Sequence, residues 1–245
     1  MKKIALIPAR YAATRFPAKL MQLLGDKTVI RHTYDNTLAT RLFDKVVVVT
    51  DHDLIYQEII SHGGVAMMSK GLHESGTDRI AEAAQGLEAD IILNVQGDEP
   101  FLHKASLAQL LEAFEGENGA AVQVASLMKV IDDPKQIENP HIVKVAVSNR
   151  NDSLLFSRSV IPYHREKTIV PTYYEHIGVY AFRKEALLQF TKMPMTPLEM
   201  AEKIECLRFL ENGIPLRMVL TDDAGVKIDT PEDLEKAKRY LANRG

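Results

Sequence analysis

The sequence predicts an α/β fold built on a doubly wound, mostly parallel sheet, and three observations predict it. Short apolar runs recur at Ile4–Ile7, Val46–Val49 and Ile91–Val95, the last interrupted only by Asn94. Continuous apolar runs of that length are the mark of strands buried on both faces. Segments of helical period lie between them. A basic loop follows the first run and an acidic turn follows the third, at the strand ends where such folds seat their ligands.

The elements follow in order. Ile4–Ile7 opens into a loop from Pro8 to Leu20 that contains no glycine, carries Arg10, Arg15 and Lys19, and is stiffened by Pro8 and Pro17. A cationic loop behind a buried strand points to an anion there, and a triphosphate carries the charge to justify it. A solvated loop paired with surface acids is the plainer alternative. Ile30, Tyr34, Leu38 and Leu42 recur every four positions and predict a helix buried along that stripe. Gly63-Gly64 ends a helix begun near His52. In His73-Glu74-Ser75-Gly76-Thr77-Asp78-Arg79, Ser75 or Thr77 caps the next helix and Asp78 suits its dipole. Arg79 opposes that dipole, which makes it a candidate contact for a base or phosphate. Leu107, Leu110, Leu111 and Phe114 form another helical stripe.

The second half is less regular. Strands are predicted at Val122–Lys129, Val143–Val147, Leu154–Phe156, Ile177–Phe182 and Leu216–Leu220, and Pro140, Pro162, Pro171, Pro194 and Pro197 break the region into short elements. The expectation is one domain over 1–245 with a lobe inserted at roughly 130–190, used for a sugar-like substrate, for dimerisation, or for both. Thr230-Pro231-Glu232-Asp233 opens a last helix with Thr230 as N-cap, Pro231 at N1 and Asp233 at N3, its buried face Leu234, Ala237 and Leu241.

Composition narrows the function. A formal net charge of −3 gives no broad field for nucleic acid or anionic membrane, so the 30 basic residues act locally. A single cysteine, Cys206, excludes an intrachain disulfide and fits a reducing compartment. The apolar stretch behind Lys2-Lys3 is too short for a signal peptide, and no run is long enough to span a membrane; a cytoplasmic protein is the expectation. Neither G-x-G-x-x-G nor G-x-x-x-x-G-K-[ST] occurs in the first loop, which argues against a nicotinamide oxidoreductase and a P-loop enzyme.

In Asn94-Val95-Gln96-Gly97-Asp98-Glu99-Pro100, a strand ends, a glycine permits a turn, and Asp98 emerges at the sheet edge. Beside a triphosphate it suits magnesium, which prefers one or two carboxylates plus phosphate oxygens. Asp229 is the candidate second carboxylate, with a dipole-favoured turn acid as its alternative reading. Arg158, His176, Tyr180, Glu202, Glu205 and Cys206 are the chemistry-bearing residues of the lobe region. On the helix predicted after Pro197, Glu202 neighbours both Glu205 and Cys206, with a solvated helix face as the plainer reading of the two glutamates. A lone cysteine such as Cys206 is more often a small core residue, and His176 is likewise more often structural.

Ile7-Pro8-Ala9-Arg10-Tyr11 with Thr14-Arg15 and Lys19, Ser75 to Arg79, Asn94 to Pro100, Phe156-Ser157-Arg158 and Asp229 to Asp233 together resemble the 3-deoxy-manno-octulosonate (Kdo) cytidylyltransferases. The resemblance covers nearly the whole chain. It implies a Rossmann-like fold of the nucleotide-diphospho-sugar transferase type, a homodimer, and magnesium-dependent joining of CTP and Kdo to give CMP-Kdo and pyrophosphate for lipopolysaccharide inner-core synthesis. It also implies that Arg10, Arg15, Lys19 and Asp98 serve catalysis. Arg10, Arg15 and Lys19 would hold the triphosphate, with Ala9, Ser75 and Arg79 seating the nucleotide. Asp98 and Asp229 would ligate the metal, and Gln96, Arg158, His176, Tyr180, Glu205 and Cys206 would line the sugar site.

Three positions depart from the family pattern. Ala18 stands where glycine is usual, tolerable only if φ is negative there. Leu20 replaces a frequent proline, and Cys206 replaces an expected glutamine, which raises a modified sugar such as 8-amino-Kdo as an alternative. Sialic acid is another alternative sugar. A nucleotide-binding module without catalysis is the rival from a different class.

Overall fold

In the computed structural model, which describes residues 1–245 apart from 13–15, 72, 74, 167, 223–224, 226 and 244–245, parallel strands carry the amino-terminal part of the chain. The chain divides into two compact units, Met1–Leu107 with Gly225–Gly245, and Ala108–Ala224. The first contains β1 (Lys3–Ala9), the small hairpin β2 (Leu23–Leu24) and β3 (Lys27–Thr28), α1 (Val29–Ala39), β4 (Lys45–Thr50), α2 (Asp53–Ser61), β5 (Ala66–Met68), α3 (Gly76–Gln85) and β6 (Ile91–Asn94). Helix α4 (Lys104–Glu112) contains the division point.

Strands β6, β1, β4 and β5 are neighbours in that order, and each pairing is parallel. Their apolar runs are why: Leu6, Ile7, Val47, Val48, Ile92 and Leu93 are all fully buried, each such side chain contributing about 1.5–3 kcal/mol. The predicted strands are therefore present to within a residue or two at each end. Helix α2 is capped by His52, whose Nδ1 accepts from the Leu54 N–H. It stops at Gly63, where φ is +79°.

The α1 stripe differs from expectation. Ile30 and Tyr34 are buried, but Leu38 is 51% exposed and Leu42 lies beyond the helix end. Val29, Thr33 and Thr37 complete the inner face instead. A strict four-residue repeat drifts around a 3.6-residue helix, and the threonines hide their polarity by donating to the carbonyls one turn back.

The second unit comprises α5 (Gly116–Gly119), β7 (Val124–Val130), α6 (Pro134–Ile137), β8 (Lys144–Val147), β9 (Ser153–Ser157), β10 (Tyr174–Arg183), α7 (Lys184–Phe190), α8 (Pro197–Glu202), α9 (Leu207–Glu211) and β11 (Arg217–Leu220). Here pairing is mostly antiparallel: β10 with β7 and β8, and β8 with β9, while β11 joins β7 in parallel. The expected single helix after Pro197 is two short ones. Lys203 adopts the left-handed conformation (φ +54°) and stops α8, so Glu205 and Cys206 do not share a helix face with Glu202. Glu202 instead accepts from Ser157 Oγ (2.6 Å) and the Arg158 N–H (2.9 Å).

Sequence pattern alone does not show the polar groups buried in this unit. Lys144 is fully buried, and its ammonium donates to the carbonyls of Asn139 (3.0 Å), Ile142 (2.8 Å) and Arg158 (2.5 Å). Three donors meet three acceptors, which is what makes a buried ammonium tolerable. Arg208 and Glu199 form a buried bidentate pair (2.8 and 2.6 Å), with the guanidinium over the Phe190 ring.

The chain returns to the first unit for α10 (Pro231–Ala242), which has the predicted capping box of Thr230 and Asp233. Leu234 and Ala237 are buried, while Leu241 is only partly so. Among the described residues no helix is long and apolar enough to cross a membrane. Lys144→Met removes three hydrogen bonds and strands their carbonyls; the expected loss is roughly 3 kcal/mol, read as a lower urea midpoint at unchanged m-value.

Candidate active site

The carboxyl ends of β1 and β6 open onto a cleft of about 310 Å³, wholly within the first unit, lined by Pro8 to Arg10, Phe16, Lys19, Leu20, His73, Ser75, Gly76, Arg79, Gln96 to Asp98, Lys227 and Asp229. Parallel pairing sets Ala9 opposite Thr50 and Leu6 opposite Asn94. The two loops that leave β1 and β6 are thereby brought side by side.

The 96–100 turn is held from several directions. Thr33 Oγ1 donates to the Gly97 carbonyl (2.9 Å), and Asn36 Nδ2 donates to that of Pro100 (2.5 Å). Gly97 is required for space rather than for a special φ. A Cβ there would lie 3.0 Å from the Pro8 carbonyl oxygen and 3.2 Å from Ile30 Cδ1. The Ile228 N–H donates to the Asp98 carbonyl (2.9 Å), which fixes the segment before α10 against the turn.

That backbone clamp brings Asp98 and Asp229 together. Lys19 Nζ lies between them, 2.5 Å from Asp98 Oδ2 and 2.9 Å from Asp229 Oδ1. The three side chains are 16%, 13% and 27% exposed. Lys19 thus pairs with the two acids rather than standing apart as a cation. A second ammonium, Lys227, has its Nζ 3.6 Å from Asp229 Oδ2. Sequence reading did not single it out, although it stands two residues before Asp229. Partial burial works against its charge, but Asp98, Asp229 and Glu99 outweigh that and raise its pKa.

Glu99 is buried behind the turn, and its Oε2 has no hydrogen-bond partner among the described residues. Burial, reinforced by the Asp98 charge, pushes its carboxyl up to about 8. At neutral pH it is therefore mostly protonated, and two aspartates face two lysines.

Around this centre, Arg10 is exposed, and Ser75 caps α3 by accepting from the Asp78 N–H (3.1 Å). Arg79 is buried, with Nη2 on Asp51 (2.7 Å) and Nη1 on Ser69 Oγ (2.6 Å), which answers its unfavourable place near the helix start. His73 meets Glu82 (2.8 Å), which also accepts from the Lys70 and Gly71 N–H groups and shapes the loop before α3. Arg15 lies outside the described residues. Ala18 has φ +51°, not the negative value expected of a residue with a side chain, so its methyl group is accommodated at a cost of about 1–2 kcal/mol.

Gln96 lines this cleft; the other sugar-site candidates lie in the second unit. Arg158 already commits Nε to the Glu202 carbonyl (2.7 Å) and Nη1 to that of Pro140 (2.9 Å), so both edges of its fork carry a protein acceptor. Cys206 is 1% exposed, and its thiol, raised in pKa by burial, pairs with Tyr180, so it presents no surface to a ligand. Glu205 stands just before it, between α8 and α9.

His176 packs against the rings of Phe156 and Tyr180, with Nε2 2.9 Å from Ser126 Oγ. The register of β10 on β7 shifts between Ile177 and Tyr180, which turns the carbonyls of Ile177 and Val179 toward the same hydroxyl, each at 3.0 Å. Ser126 has one hydrogen to donate and these carbonyls take it, so His176 Nε2 is the donor to Ser126.

Burial pushes the His176 imidazole down to about 4 from 6.5. A base with a depressed folded pKa binds fewer protons folded than unfolded between those values. Stability is therefore lost as pH falls through 6.5 toward 4. His176→Gln should remove up to about 2 kcal/mol of the difference between pH 7 and pH 5, read from urea midpoints at the two pH values.

Known proteins resemble the chain along nearly its whole length. The cytidylyltransferase family matches over residues 4–239. A protein of Flavobacterium johnsoniae named 3-deoxy-manno-octulosonate cytidylyltransferase is 56% identical over 98% of this chain and 99% of its own length. One of the same name from Christiangramia forsetii is 52% identical over 98% and 96%. Among solved structures, a CMP:2-keto-3-deoxy-manno-octonic acid synthetase complexed with CTP superposes with a TM-score of 0.95 at 36% identity, covering both chains completely. A 4-diphosphocytidyl-2C-methyl-D-erythritol synthase from Anaerococcus prevotii shares the fold at a TM-score of 0.64 and 16% identity, over 98% of this chain and 99% of its own. Relatives at 56% and 52% identity over nearly their whole length, and the family match from residue 4 to 239, show that the chain belongs to the 3-deoxy-manno-octulosonate cytidylyltransferase family.

Proposed function

We propose that this enzyme transfers CMP from CTP to the anomeric hydroxyl of Kdo, giving CMP-Kdo and pyrophosphate, a product that serves lipopolysaccharide inner-core synthesis. The observation that carries the reading is the meeting of Asp98, Asp229 and Lys19 at the strand ends, in a chain 56% identical to a relative of that name. The sugar hydroxyl attacks the α-phosphorus, the bond to the β-phosphate oxygen breaks, and pyrophosphate leaves in line. No protein nucleophile is required, so catalysis rests on positioning and charge neutralisation.

Arg10, Arg15 and Lys19 meet the triphosphate, and Ala9, Ser75 and Arg79 seat the nucleotide. Asp98 and Asp229 fit magnesium, because they offer hard oxygen donors in the number the ion takes alongside phosphate oxygens. Bound there, magnesium would neutralise phosphate charge and lower the pKa of the attacking hydroxyl. Gln96, Arg158, His176, Tyr180 and Glu205 are assigned to the sugar, with Cys206 acting only through Tyr180. Cys206 is buried and makes no sugar contact of its own, and Kdo is the sugar in the relatives' name. The chain works as a cytoplasmic homodimer. Tyr163 and Val170 are each 85% exposed and Ile169 is 66% exposed, the apolar surface that a second copy would cover.

Pyrophosphate release with CTP, magnesium and a panel of acidic sugars should be fastest with Kdo and should fail with other nucleoside triphosphates. CTP binding without release, with every sugar, would leave only a nucleotide-binding module. Asp98→Asn is expected to fold and to lose about 10²–10³-fold in turnover; near-normal turnover at saturating magnesium would remove Asp98 from the metal role. Light scattering should give twice the chain mass, and Val170→Glu should shift it toward the monomer.

A further inference from the structure

Lys227 lines the same cleft as Lys19, Asp98 and Asp229. Its Nζ is 3.6 Å from Asp229 Oδ2, while Lys19 Nζ takes the other oxygen of Asp229 (2.9 Å) and one oxygen of Asp98 (2.5 Å). Two ammonium groups therefore face two carboxylates. A divalent cation on the aspartate pair brings the same two positive charges to the same oxygens. The lone pairs that Lys19 engages are then required by the cation, so the two forms of neutralisation compete.

Resting on the reading that Asp98 and Asp229 hold the cation that accompanies the nucleotide, we propose that Lys19 and Lys227 are the resident counter-ions of this pair and that Lys227 is a further triphosphate-positioning residue. When nucleotide and cation arrive together, the cation takes the aspartates and both ammonium groups transfer to phosphate oxygens. Each is a point charge on a flexible four-carbon stem, suited to such a move. Half of the Lys227 side chain is already exposed (51%). The consequence of the exchange is coupling: the free cation binds poorly, and nucleotide and cation each strengthen the other's binding.

The test uses Mn²⁺ as the probe, with free Mn²⁺ read by electron paramagnetic resonance, in nucleotide-free protein and with CTP but no sugar. Lys227→Met should bind Mn²⁺ about tenfold more tightly than wild type without nucleotide, since a positive charge beside the ligands is gone. It should also bind CTP about tenfold more weakly, since a phosphate contact is gone. These opposite signs are not what a structural lesion gives, and Lys227→Arg should restore both toward wild type. Unchanged or weaker nucleotide-free Mn²⁺ binding by Lys227→Met, or no restoration by arginine, overturns the counter-ion role. Asp98→Asn separates this failure from that of the site itself. It should lose Mn²⁺ binding in the presence of CTP; if it does not, the metal does not belong to this pair and the inference falls with it.

Discussion

One backbone hydrogen bond, from the Ile228 N–H to the Asp98 carbonyl, sets the geometry on which the cleft depends. It joins the turn behind β6 to the segment that leads into α10. Asp98 and Asp229 then lie close enough to share the Lys19 ammonium. Carboxylates held this near repel one another unless a cation stands with them. The protein supplies that cation from the loop behind β1, which the parallel β1–β6 pairing has already placed alongside. Sheet order, turn and capped helix thus converge on a single electrostatic requirement.

The second unit solves a different problem. Its strands are mostly antiparallel and its helices short, and backbone carbonyls in the segments between them find side-chain partners. Lys144 gathers three of them, and Glu202 ties Ser157 and Arg158 to the end of α8. Glu199 with Arg208 is a buried polar pair of the same kind, and His176 with Ser126 is a half-buried one. Each is satisfied by geometry, which is the condition under which buried polar groups specify a structure rather than weaken it.

The individual residues of the cleft were legible because chemistry restricts residue type. Cations behind a strand, and an aspartate after one, have few explanations. What was not legible was their pairing. Lys19 reads as a phosphate ligand, yet it stands between two acids, and Lys227 reads as nothing until Asp229 is seen beside it. Glu99 looks like one more turn acid, but burial next to Asp98 makes it a neutral carboxyl at neutral pH. Misreadings in the second unit have a local cause. One left-handed residue, Lys203, broke the helix that the Glu202–Cys206 spacing assumed.

By itself the sequence determined the buried strands β1, β4 and β6, the caps at Ser75 and Thr230 and the identity of the chemical groups, because these follow from periodicity over a few residues and from what each side chain can do. Continuous apolar runs became parallel strands, and Thr230 with Asp233 became a capping box. Only the tertiary structure decided which oxygens face which ammonium, that Gly97 is needed for space, that Ala18 takes a positive φ, and that Cys206 is sealed from ligand. The physical reason is range: Lys19 and Asp229 are separated by 210 positions in the chain, and an electrostatic contact across that distance exists only after the sheet has fixed both ends.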